Sequence, residues 1–136
     1  MKIGLFPLVG DLLHPGHLLA LKEAKNNCDY LIIAMNVDPT FDNPNKQKPI
    51  ETVYERFIRL RCCKYVDDIL PYAGEADLLN LLKTTKYDVR FVGADHKDGY
   101  TGDEYEKAHK IEQYIIEREH NLSSTLLRSK IRGERK

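Results

Sequence analysis

Two histidines three residues apart, His14 and His17, stand in the stretch Leu8-Val9-Gly10-Asp11-Leu12-Leu13-His14-Pro15-Gly16-His17. Imidazoles can donate hydrogen bonds to phosphate oxygens, and a pair at one helix start suits a polyphosphate. Pro15 lacks a backbone N–H and has its φ preset, as the first helical position prefers, and Gly16 lets a ligand approach the backbone closely. At that end of a helix, unpaired N–H groups and the positive end of the dipole already favour an anion. Further along, Lys46 and Lys48 belong to a loop able to close over phosphates. Ser123, Ser124 and Thr125 open a helix with Arg128 one turn on, a second place to receive phosphate. Taken singly, each has a plainer reading: solvated loop lysines, an N-cap serine, an arginine favourable late in a helix. Zinc suits the histidines poorly, since it needs three or four ligands and no Cys or His cluster supplies the others.

The elements that must position these residues follow from the apolar pattern. Ile3-Gly4-Leu5-Phe6 is the core of a first strand over residues 2–9, with Pro7 suited to its end rather than its middle. A helix spans Pro15 to about Asn27, with Leu18, Leu19, Leu21 and Ala24 on its apolar face. Residues 30–37 form a continuous apolar run, the pattern of a parallel strand covered on both faces. Two such strands joined by a helix make a right-handed βαβ unit. Residues 38–50 are a loop rich in Asp, Asn, Pro and Lys. Thr52 with Glu55 is a capping-box signature opening a helix to about Lys64. A third strand spans Tyr65 to Leu70 and is closed by Pro71; a helix covers residues 75–85 and a fourth strand residues 89–93. A second loop, residues 94–103, holds His96, and a short helix follows over 104–109. Residues 113–118 fit a continued helix or a fifth strand, and the alternation along the chain favours the strand. A last helix covers residues 123–132.

This alternation predicts an α/β fold: one domain over residues 1–136, a Rossmann-like, doubly wound parallel sheet of about five strands with helices on both faces. Such sheets bind ligands at the carboxyl ends of their strands, near the point where strand order reverses. The candidate loops therefore fall on one edge.

The 136 residues carry 21 basic and 21 acidic side chains, for zero formal net charge, so nothing points to nucleic acid or a membrane surface. Three cysteines, two of them adjacent, give neither a disulfide framework nor a C-x-x-C site. They read as reduced thiols, and with no signal peptide or membrane-length apolar run the expected location is cytoplasmic.

Gly10-Asp11-Leu12-Leu13-His14-Pro15-Gly16-His17 resembles the signature of the cytidylyltransferase-type nucleotidyltransferases, which carry an H-x-G-H motif, and is most similar to the glycerol-3-phosphate cytidylyltransferases. Those usually read G-T-F-D where this chain has Leu8-Val9-Gly10-Asp11; the aspartate and both histidines are kept. The resemblance implies that this first turn binds the nucleotide. It matches Lys46 and Lys48 to the family's lysine loop and Arg56 to an arginine early in the next helix. The family's G-D-D-W is Gly93-Ala94-Asp95-His96 here, which places Gly93, Asp95 and His96 near the base or acceptor. Its closing R-T-E-G-I-S-T-T-x-I-K corresponds to residues 118–128, keeping Arg118, Ser123 and the final basic Arg128 but not the intermediate T-E-G.

The implied reaction joins CTP and a phosphorylated alcohol, first of all glycerol 3-phosphate, to give a CDP-alcohol and pyrophosphate. His14, His17, Lys46 and Arg128 are then the catalytic candidates. The family normally uses Mg²⁺ on the triphosphate with few direct protein ligands, and Asp11 lies near that ion or holds the turn together. Family members are commonly homodimers. Two alternatives stand beside this. Leu122-Ser123-Ser124-Thr125-Leu126-Leu127-Arg128 is similar to the I-S-S-T-x-x-R motif of adenylyltransferases in the same superfamily, and the altered first turn fits a nucleotide-binding module without turnover.

Overall fold

Every residue from Leu31 to Met35 is buried, as a parallel strand covered on both faces demands. In the computed structural model, which describes residues 1–96 and 99–117, this run is the centre of strand β2 (Tyr30–Asn36). Four more strands share its sheet: β1 (Ile3–Leu8), β3 (Asp68–Tyr72), β4 (Val89–Gly93) and β5 (Glu112–Ile116). Helices α1 (Pro15–Asn26), α2 (Val53–Arg61), α3 (Glu75–Thr84) and α4 (Asp103–Ala108) alternate with them. All pairings are parallel and the order is β3-β2-β1-β4-β5, so the order reverses between β1 and β4. This is the doubly wound, Rossmann-like sheet that the alternation predicts.

Successive side chains leave a strand on opposite faces, and the core divides accordingly. Phe6, Leu31, Ile33, Met35, Val89 and Phe91 pack with Leu21 and Ala24 of α1 and Leu60 of α2. Leu5, Ala34 and Tyr72 pack with Leu78 and Leu82 of α3 on the other face. The predicted capping box forms: Thr52 Oγ1 accepts the Glu55 N–H at 3.1 Å, and Glu55 Oε1 accepts the Thr52 N–H at 2.9 Å. Such a cap contributes on the order of 1 kcal/mol and fixes where α2 begins.

Two elements, β3 and α2, differ from expectation in their bounds. The third strand starts at Asp68, not Tyr65, and Pro71 lies inside it. β3 is an edge strand, paired only with β2, and a residue without an N–H is tolerated there. Helix α2 ends at Arg61, short of Lys64, with Cys62 as its C-cap. Residues 112–116 are a strand, in register with β4 from Val89 opposite Glu112 to Gly93 opposite Ile116. The expected last helix, and with it Arg118, Ser123, Ser124, Thr125 and Arg128, lies outside the described residues. No helix among the described residues is long and apolar enough to cross a membrane.

Candidate active site

β1 runs beside β2 along its whole length but pairs with β4 only through Gly4 and Leu5, opposite Val89 and Arg90. Pro7 follows and offers no N–H to either neighbour. Past that point the two central strands part, and a cavity of about 830 Å³ opens between them at the carboxyl edge. Open α/β sheets bind ligands at this place, where the strand order reverses. Leu8, Val9, Gly10, Asp11, His14, Gly16, His17, Lys46, Gly93, Asp95 and His96 all line the cavity. One edge thus gathers the first turn, the lysine loop and the loop after β4.

The two histidines build the start of α1. His14 is its N-cap, with extended backbone at φ −124° and ψ 173°. Its Nδ1 accepts the Gly16 N–H at 3.0 Å, and His17 Nδ1 accepts the His14 N–H at 3.3 Å. This reciprocal pairing is a capping box made from imidazoles. An accepting Nδ1 carries no proton, so in each neutral ring the proton sits on Nε2. The rings lie 4.0 Å apart at a tilt of 38°, and both face the cavity. The helix cap and the pair of imidazoles lining the cavity are one structure.

The turn before them is held from α2. Gly10 has φ +72°, where a side chain is strained, and a Cβ there would also press on Leu8 and Leu60 at 3.2 Å. The position occupied by phenylalanine in the G-T-F-D pattern is therefore one that a phenylalanine would strain here. Leu12 also has positive φ, 48°. Asp11 spans the gap to the next helix: its Oδ2 accepts the Ile50 N–H at 3.0 Å and its Oδ1 the Glu51 N–H at 2.9 Å. Glu51 returns the contact, its Oε1 accepting the Leu12 N–H at 2.8 Å while Oε2 pairs with Arg59. Of the two readings of Asp11, the holding of the turn is present.

Arg56 was expected to contact nucleotide, but it stands behind the cavity and does not line it. Only 1% of it is exposed, and its guanidinium is spent on backbone carbonyls. Nη1 donates to Val9 and Asn36 at 3.1 and 2.6 Å, Nη2 to Val37 at 2.5 Å, and Nε to Glu51 at 3.3 Å. Burial lowers its pKa, opposed by the carboxylates of Asp11, Asp38 and Glu51. Arg56 thus ties the ends of β1 and β2 to α2. Lys48 also stays off the cavity: its side chain is 75% exposed and its Nζ lies 3.2 Å from Asp38. The Thr40 hydroxyl and N–H, with Lys48 behind them, hold the Asp38 carboxyl down at about 2.

Several residues on the cavity carried no expectation. Tyr72, Glu75, Arg90 and Thr101 line its part nearest α3, and Glu117 follows β5 into it; Tyr100 beside them belongs to the loop after β4, where acceptor choice is expected to differ. Arg90 left a visible signal, a charge within the apolar run Val89-Arg90-Phe91-Val92 of a strand buried on both faces. Tyr72 and Glu75 left none, because adjacency across the sheet brings them in. Among the described residues no three His, Cys, Asp or Glu side chains converge to hold a metal ion.

Comparison with known proteins agrees with this architecture. A family model described as cytidylyltransferase-like matches residues 9–130. The bifunctional protein HldE of Helicobacter hepaticus is 32% identical over 124 residues, covering 89% of this chain and 26% of that protein. A probable ethanolamine-phosphate cytidylyltransferase of Encephalitozoon cuniculi is 33% identical over 90 residues, covering 65% of this chain and 27% of that one. An FAD synthase of Thermococcus sibiricus is 33% identical over 89 residues, or 64% of this chain and 59% of that one. This chain therefore spans about a quarter of the first two relatives. The crystal structure of a lipopolysaccharide core biosynthesis protein from Thermoplasma volcanium matches at a TM-score of 0.74 and 27% identity, covering 88% of this chain and 99% of that one.

Proposed function

The chain belongs to the cytidylyltransferase-like family, and from that premise we propose that it transfers a cytidylyl group from CTP to the phosphate of a phosphorylated alcohol. The observation that carries this reading is the histidine pair. Both rings are held by Nδ1 at the start of α1 and line the cavity where β1 and β4 part.

An acceptor phosphate oxygen attacks the α-phosphorus in line. A new P–O bond forms, the bond to the β-phosphate bridge breaks, and pyrophosphate leaves with that electron pair. The protein makes no covalent bond, so its work is positioning and stabilising charge. His14 and His17 donate from Nε2 to the phosphate oxygens on which charge accumulates, and the N–H groups at the start of α1 add to them. Lys46 reaches the triphosphate from the loop before α2. Glu51 and Arg56 stand behind the cavity and, together with Asp11 at its wall, fix the turn that sets the histidines. Mg²⁺ is expected to arrive bound to the triphosphate, since the described residues form no cluster that would hold the bare ion. Glycerol 3-phosphate is the simplest acceptor of the class.

Pyrophosphate release tests the reading directly, with CTP, Mg²⁺ and a set of phosphorylated alcohols. Thermal unfolding with CTP, ATP, GTP and UTP supports it without knowledge of the acceptor, because a ligand at ~100 times its Kd adds about 2.7 kcal/mol. A shift with CTP alone is the expected result. The similarity to an FAD synthase, together with the Ser123-Ser124-Thr125 motif, favours adenylyl transfer as a second reading. A shift with ATP in place of CTP would establish it over the first. Absence of any shift would leave neither.

A further inference from the structure

The cavity extends past the histidines to the face of the sheet covered by α3, and there its chemistry changes. Arg90 enters from β4 opposite Leu5 and is only 3% exposed. Its Nη1 donates to Glu106 Oε2 at 3.1 Å and to the Thr101 carbonyl at 2.9 Å. Glu106 is fully buried, and it also accepts from Tyr87 Oη at 2.7 Å and Gln113 Nε2 at 3.1 Å. That ion pair is thus electrically closed. Arg90 Nε is buried, yet it has no acceptor among the described residues. A buried N–H without a partner carries an unrecovered desolvation cost, and native structures rarely leave one without a reason.

The surroundings of Arg90 are polar and aromatic. Tyr100 places its ring 4.8 Å from the guanidinium carbon, and Thr101 Oγ1 donates to Glu75 Oε2 at 2.5 Å. Burial, with help from Glu75, pushes the Tyr72 phenol up to about 12, while Arg90 opposes the shift, so its hydroxyl stays protonated among these groups. Gly102 keeps the loop close: with φ +93°, any Cβ there would run into Leu82 and come within 3.3 Å of Arg90 Nη1.

Resting on the cytidylyl-transfer reading, we propose that this lobe is the acceptor-specificity pocket. It takes a neutral, polyhydroxylated tail, that of a sugar or sugar-alcohol phosphate longer than glycerol phosphate, with Arg90 as the specificity residue. Three chemical classes can be compared. A tail ending in ammonium brings no oxygen to Arg90 and leaves its N–H unmet. A carboxylate tail meets Arg90 but adds a negative charge beside Glu75 and Glu106, where like charges repel. A run of hydroxyls does both jobs, accepting from Arg90 and donating to Glu75, while the Tyr72 and Tyr100 rings cover its C–H face. Arg90 sits three residues before the end of β4, roughly 10 Å below the edge at the rise of a strand. It therefore reads the far end of the acceptor, away from the phosphate that reacts.

The test separates binding from turnover. Binding of ribitol 5-phosphate, ribose 5-phosphate, glucose 1-phosphate, glycerol 3-phosphate and ethanolamine phosphate is measured calorimetrically on the full chain, with no nucleotide needed. At least one polyhydroxylated phosphate is expected to bind tenfold or more tighter than both glycerol 3-phosphate and ethanolamine phosphate. Tyr100→Ala, which removes one of the two covering rings, and Arg90→Lys, which keeps a positive charge facing Glu106, are each expected to lower that preference at least fivefold while leaving the CTP-induced thermal shift intact. Equal binding of all five, or tightest binding of ethanolamine phosphate or glycerol 3-phosphate, overturns the proposal. So does a preference unchanged in both variants. Failure of the transfer reading has a separate signature: no pyrophosphate from any nucleotide, whatever the acceptor binding shows.

Discussion

The two edges of the sheet are built on opposite plans. At the amino edge an aspartate stands just before each of three strands, and each takes an N–H at the start of the neighbouring strand or one residue before it. Asp29 accepts from Lys2 at 2.7 Å, Asp67 from Leu31 at 2.8 Å and Asp88 from Ile3 at 2.8 Å. At the carboxyl edge the comparable groups hold loops instead. Asp11 and Glu51 take N–H groups of each other's segments, and Arg56 takes carbonyls from Val9, Asn36 and Val37. One edge is stitched strand to strand, which leaves the other free to part at β1 and β4 and form a cavity. The difference teaches that polar side chains at a sheet edge can close it or shape an opening, according to which backbone they reach.

Arg56 should show the difference most strongly. Arg56→Ala removes the donor to four carbonyls in a buried place, and a loss of about 3–5 kcal/mol in unfolding free energy is expected from denaturant titration. Arg56→Lys keeps the charge but loses the planar fork, and should fall between the two. A stable Arg56→Ala protein would mean that the carboxyl edge is not held in this way.

The histidines come next, and they separate holding from chemistry. His17→Ala should lower kcat by about 10²–10³, the typical effect of removing one donor to developing charge. His14→Asn is the sharper variant, because asparagine caps a helix well but offers no Nε2 donor. It should unfold close to the wild-type temperature and still lose turnover. Activity retained in His14→Asn would reduce the pair to a helix cap.

How much of this was legible depends on where each group's neighbours lie in the chain. The first turn was readable because its parts are contiguous: Pro15, Gly16 and the two histidines fix their own geometry within four residues. The sheet was readable from Leu31–Met35 and its companion runs, whose apolar pattern needs no tertiary information. Arg56 could be located but not interpreted. A sequence offers an arginine early in a helix equally to a phosphate and to four carbonyls, and only the fold decides. Pro71 misplaced the end of β3 because tolerance of proline depends on being at the sheet's edge, a fact of strand order. The lobe around Arg90 joins β3, α3, β4 and the loop before α4, so local pattern could not reveal it. The aspartates before β2, β3 and β4 form a repeating signal that pattern reading passed over, since a lone Asp at a strand start looks like turn chemistry.

The lysine loop sharpens the comparison within the carboxyl edge. Lys46 lines the cavity, whereas Lys48 is paired with Asp38 and largely exposed. Lys46→Ala should raise the KM for CTP about tenfold, equivalent to about 1.4 kcal/mol, while Lys48→Ala should change it less than about twofold. Steady-state kinetics with both variants decides, and equal effects would place the whole loop, rather than one side chain, over the triphosphate.

The smallest effect belongs to the stitched edge. Burial raises the pKa of Asp67, but the Lys25 ammonium at 2.5 Å and the Leu31 N–H outweigh it, and the net value lies below the ordinary 3.8. A carboxylate whose folded value is depressed contributes stability that is fully present above about pH 4 and is lost as pH falls through the folded value. Asp67→Asn should therefore cost about 1–2 kcal/mol at neutral pH, keeping the side chain's size but losing its charge. The variant's melting temperature should also fall less steeply than wild type on acidification below about pH 4. Turnover per folded molecule should not change, because none of the three aspartates lines the cavity. A parallel acid limb in Asp67→Asn would remove Asp67 from the groups that hold the strands together, and a changed kcat would show that the two edges are coupled through the sheet.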